Sequence, residues 1–143
     1  MAITKNNMDW IIHYVNNHDC ELCGKMDFPF LPYICDAHTH GLVNYGHLEF
    51  QVVLDVGPNL IGFLLNAMGC RVQNGESFKD GDIITGIVSG PLRLKEVSSN
   101  GERVLRIMLP DEQMRFPGEA DCMAPYNLQD LSEEFLRGAE ETQ

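Results

Sequence analysis

All five histidines of this chain fall between His13 and His47, and three of its five cysteines, Cys20, Cys23 and Cys35, fall among them. Imidazole and thiolate are the usual protein ligands of zinc and its neighbours, so the crowding points first to metal chemistry. Cys20-Glu21-Leu22-Cys23 has the spacing of a knuckle, in which two thiolates close on one ion from a tight turn. A redox pair of the same spacing opens a helix after a strand. Here the pair precedes a stretch broken by Gly24, Pro29 and Pro32, which favours metal over redox chemistry.

His38-Thr39-His40 is the second element. On a strand, side chains two apart leave the same face, so both imidazoles project together. If the chain turns back through residues 41–46, His40 comes opposite His47 and His38 opposite Glu49. Asp36 then lies at the margin, and Cys35 points to the other face with Ala37 and Thr39. Two centres fit this layout. A structural zinc held by Cys20, Cys23, His38 and His40 would pin the irregular Cys/His-rich segment 18–40 to the sheet. Alternatively, His38, His40 and His47, with Glu49 as ligand or base, would leave a coordination position for water, as a hydrolase-like metal enzyme requires. The plain alternative has the imidazoles hydrogen-bonded or solvated and the thiols merely reduced.

The elements that must position these groups can be read from periodicity. Asn7 to Asn17 fits a helix capped by Asn7, with Trp10, Ile11, Tyr14 and Val15 on one stripe. Tyr33–His40 and His47–Val56 read as strands. In the second, Leu48, Phe50, Val52, Leu54 and Val56 alternate against His47, Glu49, Gln51 and Asp55. Asn59–Cys70 has a helical apolar set, Leu60, Phe63, Leu64, Ala67 and Met68. Strands follow near Asp82–Ser89 and Leu92–Ser98. Asn100-Gly101 signals a hairpin that sets Val97 opposite Val104, Lys95 opposite Arg106 and Leu94 opposite Ile107. Arg93, Lys95 and Arg106 then share a basic face. A last helix is expected near Leu128–Arg137, capped by Asn127 and ended by Gly138. The sum is a single α+β domain over residues 1–143: a mostly antiparallel sheet of about five strands with two to three helices packed on it.

Composition narrows the function classes. Hydrophobic residues make up 44% and charged residues 22% of the chain, which is ordinary globular usage and argues against disorder. The formal charge is −11, and residues 111–143 carry nine acidic against two basic side chains. Such a surface repels phosphate backbones, so nucleic acid is not expected as a partner. No apolar run suits a membrane span, and the N-terminus lacks a secretory pattern. An odd number of cysteines without an export signal fits a reducing, cytoplasmic setting. No phosphate-binding glycine loop or nucleophile elbow is present. Cys70 and Cys122 are isolated and read as small, wholly or partly buried side chains.

Several segments, taken in order, carry a resemblance: His38-Thr39-His40-Gly41-Leu42, Tyr45-Gly46-His47-Leu48-Glu49, Leu64-Leu65-Asn66-Ala67 and Val72-Gln73-Asn74-Gly75-Glu76-Ser77-Phe78. Leu109-Pro110-Asp111-Glu112 and Arg115-Phe116-Pro117-Gly118-Glu119 extend it. From about Cys35 to Pro125 the chain resembles the bacterial domain of unknown function 4262 family. Gly46-His47-Leu48-Glu49 has Leu where that family has Pro, and Cys20-x-x-Cys23 lies outside its pattern. The resemblance implies a relative and no mechanism. His38-Thr39-His40 also matches the opening of a cupin metal motif. Glu49 is too far along for that motif, however, and no histidine follows His47. The expectation is a zinc-binding accessory or binding module that meets a protein partner or a small molecule, with a metal-dependent hydrolase as the alternative.

Overall fold

The computed structural model describes residues 10–15, 33–99 and 101–131. They build one six-stranded mixed sheet in the order β1-β2-β3-β6-β5-β4. The strands are β1 (Ile11–Val15), β2 (Ile34–His40), β3 (Glu49–Leu54), β4 (Ile83–Ile84), β5 (Leu92–Ser99) and β6 (Glu102–Met108). Helix α1 (Pro58–Gln73) follows β3, and short 3-10 turns occupy Leu42–Tyr45 and Tyr126–Asp130. Neighbouring strands run antiparallel except β3 and β6, which are parallel. The α+β class therefore holds, with six strands rather than five, one parallel seam, and one main helix among the described residues.

The hairpin has the expected register: Val97 faces Val104, Lys95 faces Arg106 and Leu94 faces Ile107. Leu92, Leu94, Leu105 and Ile107 point into the core beside Phe50, Val52, Cys35 and Ala37. Helix α1 covers this sheet face with Ile61, Leu64, Leu65, Met68 and Val72. The buried stripe is thus rotated from the expected one, because Leu60 and Phe63 lie on the outer side and are exposed.

Other elements depart further. Residues 11–15 form a strand, not part of a helix; Asn7, its expected cap, lies outside the described residues. Trp10, Ile12 and Tyr14 alternate toward the core while Ile11 and His13 face away, and the β-branched and aromatic content suits a pleated edge. The strand expected over Asp82–Ser89 shrinks to two residues. Gly86 turns the backbone at φ 89°, and Ile87 and Val88 pack on the core from a bend. At the C-terminal end Leu131 is extended, which breaks the helix expected from Leu128; residues beyond it lie outside the described set. The preceding turn is pinned by Gln129, whose fully buried amide accepts from Leu109 N at 2.8 Å and donates to Leu109 O at 2.7 Å, much as a paired strand would.

Two local devices lock this framework. Trp10 is buried against α1, with Nε1 donating to Asn66 Oδ1 at 2.9 Å. A Cβ on Gly69 would stand 2.6 Å from Trp10 Cε2, so only glycine admits the indole. The loop after β6 is knotted around Asp111, whose carboxylate accepts from the backbone N–H of Gln113, Arg115 and Met123 and from Arg115 Nε. Desolvation would raise its pKa, but these donors outweigh it and hold the group at about 2.

Gly69→Ala is expected to destabilise the protein by about 1–3 kcal/mol, against the usual helical preference for alanine. Gly62→Ala on the same helix meets no atom within 4 Å and should be neutral or stabilising; paired denaturant titrations check both. Asp111 is more acidic folded than unfolded, so its contribution is present above the unfolded value of 3.8 and lost as pH falls toward about 2. Asp111→Asn should therefore lower stability at neutral pH and flatten its loss between about pH 4 and pH 2, as chemical denaturation across that range would show.

Candidate metal centre

The sheet face away from α1 carries a polar row. Across successive strands Lys95 faces Arg106, Arg106 faces Gln51, Gln51 faces His38 and His38 faces His13. Directly opposed residues share a face, so strand pairing alone brings these side chains together. His40, two residues beyond His38, joins the same face. Ligand nitrogens of His13, His38 and His40 all lie within 4.8 Å of one another. No other Asp, Glu, Cys or His among the described residues makes a cluster of this kind.

The arrangement is held from behind. β2 carries an extra residue between Ile34 and Ala37 relative to β3, a bulge that bends the strand where Asp36 sits. Asp36 Oδ1 lies 3.0 Å from His38 Nδ1 and accepts from Gln51 Nε2 at 3.2 Å. Gln51 Oε1 in turn accepts from Arg106 Nε at 2.9 Å, which fixes which way its amide points. Arg106 is 1% exposed, and its terminal nitrogen donates to the carbonyls of Gln129 and Leu131. An ionised carboxylate only accepts, so Asp36 takes a proton donated from His38 Nδ1. His38 Nε2 is then a lone pair aimed at the cluster.

That lone pair already has a donor. His38 Nε2 and His40 Nε2 are 3.0 Å apart, close enough for a hydrogen bond. An ion held at 2.0–2.1 Å in a tetrahedral site spaces its ligand atoms about 3.3 Å apart, so the imidazole pair stands near the required separation. The His13 ring centroid is 5.4 Å from that of His38 and 6.1 Å from that of His40. Desolvation pulls the His38 imidazole down, but the Asp36 hydrogen bond and the charges of Asp36, Glu49 and Glu102 outweigh it and hold its pKa above the ordinary value. An ion must displace protons here, as at any imidazole site.

The other expected ligands are placed differently. β2 and β3 pair two residues away from the expected register, so His38 faces Gln51 rather than Glu49. Glu49 lines the edge of the site, but its carboxylate is committed: it accepts from Thr39 Oγ1 and from the N–H groups of Gly41, Leu42 and Val43. It closes the turn after His40, which Gly41 enters at φ 130°. His47 is drawn in among the aromatics, with Nδ1 2.8 Å from Leu48 O, Nε2 accepting from Phe78 N at 2.9 Å, and its ring against Phe50 and Phe78. Cys20 and Cys23 lie outside the described residues. Cys35 faces the core as expected, and desolvation, with the charges of Asp55 and Asp36, pushes its thiol far above the usual range. Cys70 and Cys122 are half-buried.

The expected basic face also dissolves. Arg106 is buried in the row, Lys95 pairs with Asp130, and Arg93 pairs with Glu119 at 3.5 Å and lies 4.7 Å over the Phe116 ring. His13 was hidden from sequence reasoning by the helical reading of its segment. The β-branched and aromatic run Trp10-Ile11-Ile12-His13-Tyr14-Val15 is the signal that could have revealed it.

Compared with models of protein families, curated proteins and solved structures, the chain matches none. No described helix is long and apolar enough to cross a membrane.

Glu49→Gln should cost about 1–3 kcal/mol, because an amide cannot accept all four donors. If Glu49 serves the turn and not an ion, the same variant keeps any metal affinity of the parent, as calorimetric titration with zinc would show.

Proposed function

We propose that this protein is a metal-binding module whose ion, zinc by preference, is held by His13, His38 and His40. The observation that carries this reading is the convergence of three imidazoles from two paired strands, with Asp36 fixing the tautomer of the central one. Carboxylate–imidazole–metal chains of this sort orient the ligand and raise its basicity. Imidazole donors suit zinc and the later first-row ions, and a site without thiolate leaves zinc, copper and nickel as candidates. His47 and Glu49 are occupied in holding the fold, which speaks against the hydrolase built on them. Kinship with the domain of unknown function 4262 family, which rests on the short motifs above, is compatible with such a module. The acidic charge of the chain favours accessory binding of a protein or small molecule over nucleic acid.

Untagged protein purified without chelator should hold about one zinc per chain by plasma mass spectrometry, or acquire it after incubation and desalting. His13→Ala, His38→Ala and His40→Ala should each weaken zinc by at least about tenfold, and Asp36→Asn by about 10–100-fold. A Cys20→Ser, Cys23→Ser double variant should retain the ion. Absence of metal after loading, or its loss in the cysteine variant alone, would overturn the reading.

A further inference from the structure

A cavity of about 160 Å³ opens directly beside the imidazole pair. His38, Thr39 and His40 line it from β2, Glu49 and Gln51 from β3, and Ser99, Glu102 and Val104 from the β5–β6 hairpin. His13 is absent from this lining, because it approaches from the edge strand on the opposite side. The cavity therefore lies against the His38–His40 pair on the side away from His13.

Among the described residues the close ligand group is His13, His38 and His40, and Glu102, though it lines the cavity, does not belong to it. Asp36 is turned to His38 and Gln51, and Glu49 is closed over the turn after His40. Val104 gives the cavity an apolar floor, while Gln51, Ser99 and Glu102 give it polar sides. A cavity near 150 Å³ accommodates a molecule about the size of benzene. Three protein ligands with one open position is the arrangement that lets a bound ion exchange water for an incoming donor.

Resting on the three-histidine reading, we infer that the site keeps an open coordination position facing this cavity, which takes a small monodentate nitrogen or oxygen donor in place of water. The ligand class is bounded by the walls: a few heavy atoms, one donor atom for the ion, and an apolar flank against Val104. A larger peptide or nucleotide does not fit the enclosed part. A closed structural site, by contrast, has four protein ligands and admits no such exchange.

Cobalt(II) reports both questions in one titration of the full chain. Cobalt should bind with a visible ligand-field spectrum free of thiolate-to-metal charge transfer, and added azide or imidazole should then shift the bands saturably. Val104→Phe, which fills the floor, should leave cobalt affinity unchanged and weaken azide by at least about tenfold. If circular dichroism shows that variant unfolded, Glu102→Trp at the exposed end of β6 narrows the same cavity and should weaken azide likewise. Cobalt bound but indifferent to azide and imidazole, or bound with thiolate character, overturns the open position; in the first case the three-histidine site stands. No cobalt binding at all overturns the three-histidine site itself, and the open position with it.

Discussion

The guanidinium of Arg106 is buried in the middle of the sheet, and much of the polar face is arranged around that fact. A cation removed from water costs several kcal/mol unless good partners surround it. Here Gln51 takes one donor, and the carbonyls of Gln129 and Leu131 take others. Once Gln51 must present its oxygen to Arg106, its nitrogen is left for Asp36 and Ser99. Asp36, so placed, dictates which nitrogen of His38 bears a proton. The orientation of an imidazole on β2 thus follows from a charge two strands away.

The two sheet faces divide the labour. One is covered by α1 and filled with aliphatic and aromatic side chains, and it supplies the burial that holds the domain. The other is polar along its central row and closed at one end by the loop that Asp111 organises. Placing ionisable groups on the second face keeps them out of the apolar layer while retaining enough burial to fix their geometry. Glu49 stands at the border of the two. Thr39, on the helix side, reaches its carboxylate, and the turn after His40 is tied to the same oxygens.

What was legible in the sequence follows the range of the interactions involved. The β5–β6 hairpin is local, and its turn chemistry agrees with its alternation, so its register came out pair by pair. The pairing of His38 and His40 on one face needed only the period of a strand. The register of β2 against β3 was off by two because a 3-10 turn over Leu42–Tyr45, marked by no strong residue signal, takes up the intervening chain. Arg106 looked like a solvated cation because nothing in its neighbourhood announces partners that arrive from residues 51, 129 and 131. His13 was missed because six residues of mixed apolar character satisfy a helical stripe nearly as well as a strand. No local pattern records that the edge of the sheet is where this segment docks.

The parallel seam between β3 and β6 has a consequence for how the molecule assembles. Gln51 and Arg106 are 55 residues apart, and closing a loop of that length costs about 3.5 kcal/mol of chain entropy before any contact is made. The hairpin on one side of the seam forms from neighbours in sequence, as does the β2–β3 pair on the other. Joining them is the slow, non-local event. The imidazole pair belongs wholly to the first-strand side, whereas the cavity beside it borrows Ser99, Glu102 and Val104 from the far side. A partly assembled chain can therefore hold its histidines together and still have no chamber in front of them. The enclosed space, and whatever chemistry depends on excluding bulk water from it, is a property of the completed sheet alone.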